Sequence, residues 1–207
     1  DMVVYPESED DTVKFVELAD LHGVCLVPFG GGTSVSSALT LPREEERMIV
    51  VVDMRRMNRI LWIDKENFRA CVEAGIRGMD LEEQLNREGF TCGHEPDSIE
   101  LSTLGGWIAT KASGMKKNRY GNIEHLVEQL TLVTPGGVVG NLHPFPRTSQ
   151  GIEPELLAFG SEGNLGIITK AVIKLFPKPE VTKYGSLVFP TFELGVQFLE
   201  ELAHTDF

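Results

Sequence analysis

"VCLVPFGGGTSV", residues 24–35, decides the fold. Residues 24–29 are a short apolar run and read as a buried strand. The strand runs straight into Gly30, Gly31 and Gly32, followed by the hydroxyls of Thr33 and Ser34. Glycines admit positive φ and let another backbone or a ligand come close. Successive N–H groups in such a turn converge into a nest that favours an anion, typically a phosphate. No lysine follows the glycines, so the GxxxxGK(S/T) phosphate loop is excluded, and the GxGxxG spacing is not met either. By itself the loop reads equally well as a tight turn.

Upstream, "MVVY" (2–5) is an apolar run. Ser8 with Asp11 then opens a capping box ahead of a helical pattern. Phe15, Val16 and Ala19 form its inner face, flanked by Val13 and Leu18, and Gly23 is its stop. The chain therefore opens β-α-β and then a glycine loop. Downstream, 48–54, 59–65 and 68–75 read as strands, and "MDLEEQLNREG" (79–89) as an amphipathic helix stopped by Gly89. Residues 126–142 read as a hairpin about Thr134–Gly137, and 154–160 as a short helix. Residues 165–177 read as a strand broken by Pro177 and Pro179. A fresh strand (185–190) and helix (191–204) follow. The pattern predicts an α+β fold with one boundary near 178 and a lobe division near 76.

Two further segments share the composition of the first loop. "HEPDSIELSTLGGWIATKASG" (94–114) holds Pro96, glycines at 105, 106 and 114, and a cluster of small side chains. "GSEGNLGII" (160–168) places glycines at 160, 163 and 166 ahead of a strand. Three such segments, far apart in sequence, fit one long phosphate-bearing ligand better than three unrelated turns. A dinucleotide is long enough to touch all of them.

The net charge of −12 argues against a nucleic-acid partner, which needs a basic face. No apolar run approaches the roughly 18 residues of a spanning helix. Cys25, Cys71 and Cys92 are sparse and show no metal-ligand spacing, so they read as free thiols in a reducing compartment. The first residues do not read as a signal peptide, and both ends read as cuts from a longer chain. Trp62 and Trp107 read as packing residues. His94 reads as a loop-fixing histidine or a contact of flavin or substrate, and Asp97 as a loop-ordering or cofactor-bonding acid. Lys111, Lys116, Lys117 and Arg119 read either as a solvated basic loop or as an attractor of phosphate.

"PFGGGTSV", "HEPDSIELSTLGGWIATKASGMKKNRYGNIE" and "GSEGNLGIIT" resemble the FAD-binding domain of the vanillyl-alcohol oxidase (PCMH-type) flavoproteins. "MNRILWIDKEN", "VEAGIRGMDLEEQL", "GHEPDS" and "ASGMKKNRYGNIE" narrow the resemblance to the alkyldihydroxyacetonephosphate synthase family within it. The resemblance covers nearly the whole chain. It implies a PCMH-type domain of two α+β lobes over 1–178 (about 1–76 and 77–178), with FAD lying extended between them. Residues 179–207 would begin a substrate (cap) domain.

The same resemblance assigns roles by position. Pro28, Phe29, Gly30, Gly31, Gly32, Thr33 and Ser34 would wrap the pyrophosphate. Pro96, Asp97, Ser98, Ser102 and Thr103, with Ala109, Thr110, Lys111 and Ala112, would line the other side. Gly105 and Gly106 would let the backbone approach. Glu162, Gly163, Asn164, Leu165, Gly166 and Ile167 would contact the adenosine and ribitol portions. Arg147 is a substrate-site candidate. No histidine stands in the glycine loop, so the implied FAD is non-covalent.

The implied reaction exchanges the acyl chain of acyl-dihydroxyacetone phosphate for a long-chain fatty alcohol, with no net redox change. The family's acid/base tyrosine and histidine cluster fall beyond residue 207. No catalytic side chain is therefore assigned here, and the piece alone is expected not to turn over. The resemblance also implies a homodimer, peripheral membrane association of the longer enzyme, and a peroxisome or related organelle. Two rivals stay open: a flavin-dependent 2-hydroxyacid oxidase or dehydrogenase of the same fold, and a flavin-free structural domain.

Overall fold

Ser8 caps the first helix as its sequence predicts. Its Oγ accepts the Asp11 N–H at 3.1 Å, and Gly23, at φ 63°, closes the far end by donating to the Ala19 and Asp20 carbonyls. The Asp11 carboxylate accepts the N–H of Glu7 rather than that of Ser8, so the reciprocal bond falls one residue early. Removing the Ser8 hydroxyl leaves a first-turn N–H without its partner. Ser8→Ala is expected to cost about 1 kcal/mol, read as a lower urea midpoint of the chain.

The structure is a computed structural model and describes residues 2–140, 149, 151 and 153–205. The first lobe holds β1 (Met2–Val4), α1 (Glu9–His22), β2 (Cys25–Phe29) and β3 (Ile49–Asp53). Its sheet is parallel, in the order β1-β3-β2. The edge position of β2 tolerates Pro28, which brings no N–H to a ladder.

The second lobe follows in chain order. It comprises β4 (Ile60–Asp64), β5 (Arg69–Glu73), α2 (Gly78–Arg87), β6 (Phe90–Thr91) and α3 (Leu104–Ala109). After these come α4 (Lys117–Tyr120), α5 (Ile123–Leu126), β7 (Val127–Thr134), β8 (Gly137–Val139), β9 (Ile167–Lys174) and β10 (Phe176–Pro177). Five strands pair antiparallel in the order β4-β5-β9-β7-β8, and β6 pairs with β10. The sheets part between Asp53 and Ile60, ahead of the division near 76 read from the sequence. Local strand patterns cannot tell which sheet a strand joins, and β4 and β5 pair with the second.

Leu81 and Leu85 of α2 and Leu104, Trp107 and Ile108 of α3 pack against Val72, Leu130, Ile168 and Ile173 of the sheet. Each fully buried leucine contributes roughly 1.5–3 kcal/mol by leaving water. α1 lies against β7 and β9 from the other lobe. Val16, Val52, Met54, Met57, Val133 and Ile167 form the cluster that joins the two. β9 is therefore largely buried along its length.

α6 (Phe192–Ala203) forms as predicted, capped by Thr191. The strand expected at 185–190 does not form: residues 178–190 carry no regular element and are exposed. A strand needs a ladder partner, and here Phe189 packs back onto α6, its ring 5.3 Å from that of Phe198. Trp107 is buried as expected, while Trp62 on β4 is 40% exposed and does not line the cleft. No described helix is long and apolar enough to cross a membrane.

Candidate cofactor site

The end of β2 delivers the three glycines onto the backbone of the second lobe. A Cβ added at Gly31 would stand 2.6 Å from the Leu101 carbonyl carbon and 2.8 Å from Ser102 Cα. A Cβ at Gly30 would drive into the Thr103 hydroxyl. Gly32 alone of the three needs positive φ, at 69°. The loop is thus glycine-rich for two reasons, a left-handed turn at 32 and a backbone crossing at 30 and 31. Among the described residues, the N–H groups of Gly31, Gly32 and Thr33 donate to nothing in the protein.

These three residues border a cleft of about 330 Å³ between the lobes. That volume lies within the roughly 300–1,000 Å³ of small-molecule sites. Pro28, Phe29, Gly30, Gly31, Gly32, Thr33 and Ser34 form one wall. Pro96, Ser98, Ser102, Thr103, Gly105, Gly106, Ala109, Thr110 and Ala112 form the opposite one. Glu162, Gly163, Gly166 and Ile167 close the end. The three segments that share a composition in the sequence therefore meet at one place.

α3 carries the opposite wall. Thr103 caps it, its Oγ1 accepting the Gly106 N–H at 3.3 Å. Gly105 lies against β5: its N–H donates to the Ala74 carbonyl at 2.7 Å, and a Cβ there would stand 2.9 Å from Ala74 Cβ. Its smallness serves helix-to-strand packing as well as approach to the cleft. At the C-terminal end of α3, Lys111 and Glu162 both adopt φ 50°, unusual for side chains of this kind. The Glu162 N–H donates to the Ala109 carbonyl at 2.9 Å, locking the third segment to the second.

Four assigned residues stand elsewhere. Asp97, Lys111, Asn164 and Leu165 are exposed and do not line the cleft. Composition marks a whole turn, whereas a turn points some of its side chains outward. Asp97 makes no hydrogen bond among the described residues, so it does not order its loop through one. Arg147 lies outside the described residues.

Other lining residues carry no glycine signal and escape a reading of the sequence. Met54, Ala74 and Ile168 form an apolar floor. Val35, Ser36, Ala38 and Leu39 extend the first wall. Ser36 Oγ donates to Glu162 Oε1 at 2.7 Å, bridging the first and third segments. The hydroxyl-rich run "TSVSS" was the only trace of this bridge in the sequence.

His94 does not fix its loop through ring hydrogen bonds. It does not line the cleft, and among the described residues neither ring nitrogen has a hydrogen-bond partner. The ring is 2% exposed and packs edge-on to Trp107, with centroids 4.8 Å apart. Burial pushes its pKa down to about 4, opposed by the negative charge of Glu124. Of the basic run, Lys116 pairs with Glu95, and Arg119 lies over the Tyr120 ring at 5.6 Å.

A cleft with orphaned backbone N–H groups at one wall, crossed glycines and small side chains opposite fits an extended dinucleotide. Comparison with known proteins agrees. Residues 1–142 match the family described as FAD binding domain. The alkyldihydroxyacetonephosphate synthase of Caenorhabditis elegans is 53% identical over 203 residues, 98% of this chain and 34% of that protein. The enzyme of the same name from Trypanosoma brucei brucei is 47% identical over 198 residues, 94% of this chain and 32% of that protein. A solved structure of an alkyldihydroxyacetonephosphate synthase superposes with a TM-score of 0.89 at 41% identity, over 97% of this chain and 36% of that one. The glycolate oxidase subunit GlcD of Bacillus subtilis is more distant, 30% identical over 203 residues, 98% of this chain and 42% of that protein. The chain spans about a third of the length of the synthases it matches.

Proposed function

Because the chain belongs to the FAD-binding domain family, we propose that it is the cofactor-binding part of an ether-lipid synthase. The reaction is the exchange of the acyl chain of acyl-dihydroxyacetone phosphate for a long-chain fatty alcohol, giving the alkyl ether and a fatty acid. The observation that carries this reading is the margin between relatives: 53% identity to a synthase against 30% to a glycolate oxidase subunit, each over 203 residues.

The bound flavin would supply the electrophilic ring system, and the chain's residues do the rest. The N–H groups of Gly31, Gly32 and Thr33, which have no partner among the described residues, would hold the pyrophosphate through charge-assisted hydrogen bonds, without bringing a side-chain charge. Ser98, Ser102, Thr103 and Thr110 offer hydroxyls along the opposite wall. Met54, Ala74 and Ile168 present an apolar floor that keeps water from the buried side of the ligand. Non-covalent attachment agrees with a glycine loop that holds no histidine.

Residues 1–178 form the FAD-binding domain in this reading, and 179–207 begin the substrate domain. The break after Pro177 and the exposed stretch ahead of α6 support that limit. The full-length enzyme is a peripherally membrane-associated homodimer of a peroxisome or related organelle. Arg147 is its substrate-site residue in this piece.

Purified full-length protein is expected to carry an oxidised flavin spectrum and to convert acyl-dihydroxyacetone phosphate and hexadecanol to the alkyl ether. Its flavin should stay oxidised under anaerobic glycolate or lactate. Bleaching by either acid would instead make the protein a hydroxyacid oxidoreductase. A colourless protein that takes up no FAD would leave only a structural role.

A further inference from the structure

Pro96 and Ser98 line the cleft, but the residues that hold their loop stand behind it. Glu82 lies on α2, touches no part of the cleft, and turns its carboxylate toward the root of that loop. Oε1 accepts the N–H of Cys92 at 2.9 Å, the N–H of Gly93 at 3.3 Å and the Cys92 thiol at 3.0 Å. Oε2 accepts the Thr91 hydroxyl at 2.8 Å. Thr91 Oγ1 in turn accepts the Gly93 N–H at 3.0 Å. The other acids of this helix behave differently: Glu83 pairs with Arg87 and Asp80 with Arg77, both at the surface.

The loop leaves this anchor at Gly93, which needs its positive φ of 72°. There a Cβ would stand 2.6 Å from Tyr120 Cδ1. The next residues are tied down again two positions on. The Glu95 carbonyl accepts the Met115 N–H at 2.8 Å, and its carboxylate pairs with Lys116. From residue 91 to residue 95 the chain is held from outside, and it reaches the cleft only at Pro96.

We propose that Glu82 is a positioning residue for the cofactor: by collecting the N–H groups of Cys92 and Gly93 it sets Pro96 and Ser98 against FAD. The inference rests on the reading of the cleft as the FAD site. A carboxylate suits the task because its two oxygens accept several donors at once. Burial pushes the Cys92 thiol well up, so it stays a neutral donor to that carboxylate. Alanine at 82 would leave the Cys92 N–H without its partner and the Gly93 N–H with Thr91 Oγ1 alone, itself no longer held by the carboxylate, and so loosen the root of the loop. Glutamine keeps one oxygen for Cys92 and Gly93 and turns its NH₂ to Thr91 Oγ1, which can accept it.

The test uses full-length protein and two readouts, FAD affinity by quenching of flavin fluorescence and amide exchange at 92–98 in the FAD-free protein. Glu82→Ala is expected to weaken FAD binding about tenfold or more, and Glu82→Gln to restore most of it. Exchange at 92–98 should rise in Glu82→Ala but not in the cores of β5 and β9, where general destabilisation would also show. If Glu82→Ala does not fold, Thr91→Val removes the Thr91 links and is expected to move both readouts the same way. Wild-type affinity in a folded Glu82→Ala or Thr91→Val protein would overturn the positioning role. So would a glutamine variant no better than alanine. Wild-type protein that binds no FAD would sink the proposed function itself, which the wild-type arm reads separately.

Discussion

Full-length protein carrying Gly31→Val is expected to elute folded but colourless. Valine would place a branched side chain into the Leu101 carbonyl and within 2.8 Å of Ser102 Cα. Both neighbours are backbone, so neither can swing away as a flexible side chain would. The loop or the wall must shift instead, and the N–H groups of Gly31 and Gly32 move with it. Loss of two charge-assisted hydrogen bonds, at roughly 1.5–3 kcal/mol each, weakens binding about a hundredfold or more. The strand feeding the loop is paired to β3 from Cys25 to Phe29 and does not depend on residue 31. Flavin absorbance co-eluting with the protein, with circular dichroism as the check on folding, measures the effect. Full flavin occupancy in the folded variant would mean that the phosphate is not held at this crossing.

Stability is expected to fall steeply below pH 6.5, with His94 the cause. The folded protein protonates His94 only near pH 4, against an ordinary value of 6.5. Between those values the unfolded chain binds the proton and the folded one does not. The contribution is therefore full above pH 6.5 and is lost as pH falls through the window. Each unit is worth about 1.4 kcal/mol, so the loss reaches about 3 kcal/mol by pH 4. Groups with depressed values act lower down: Glu45, held at about 2 by Arg47, lends stability only above its own titration range. His94→Phe keeps a ring against Trp107 and has no proton to gain. Urea midpoints at pH 7, 5.5 and 4.5 should diverge, with wild type losing about 2–3 kcal/mol that the variant keeps. Parallel curves would show that His94 is not held neutral.

Much of the architecture was legible because its signals are local. The Ser8 cap, the Gly23 stop and the turn at Pro135–Gly136 each depend on a few neighbouring residues, and each forms as read. Strand 185–190 failed because a strand is a partnership, and among the described residues no ladder partner stands beside it. β4 and β5 were legible as strands but not as members of the second sheet, for the same reason.

The sequence by itself determined the α+β order of elements and the three glycine segments that would meet a phosphate-bearing ligand. It did so because periodicity, caps and glycine content act within a few residues of chain. Tertiary structure alone decided what each glycine is for. Gly32 turns the chain, while Gly31 and Gly105 make room for the Leu101 carbonyl and Ala74. It also decided that Asp97, Lys111, Asn164 and Leu165 stay off the lining of the cleft, that Met54 and Ala74 line it, and that the Glu82 carboxylate collects the N–H groups of Cys92 and Gly93. Such assignments depend on what stands opposite a residue across the fold, and in each of these pairs the two partners come from separate stretches of chain.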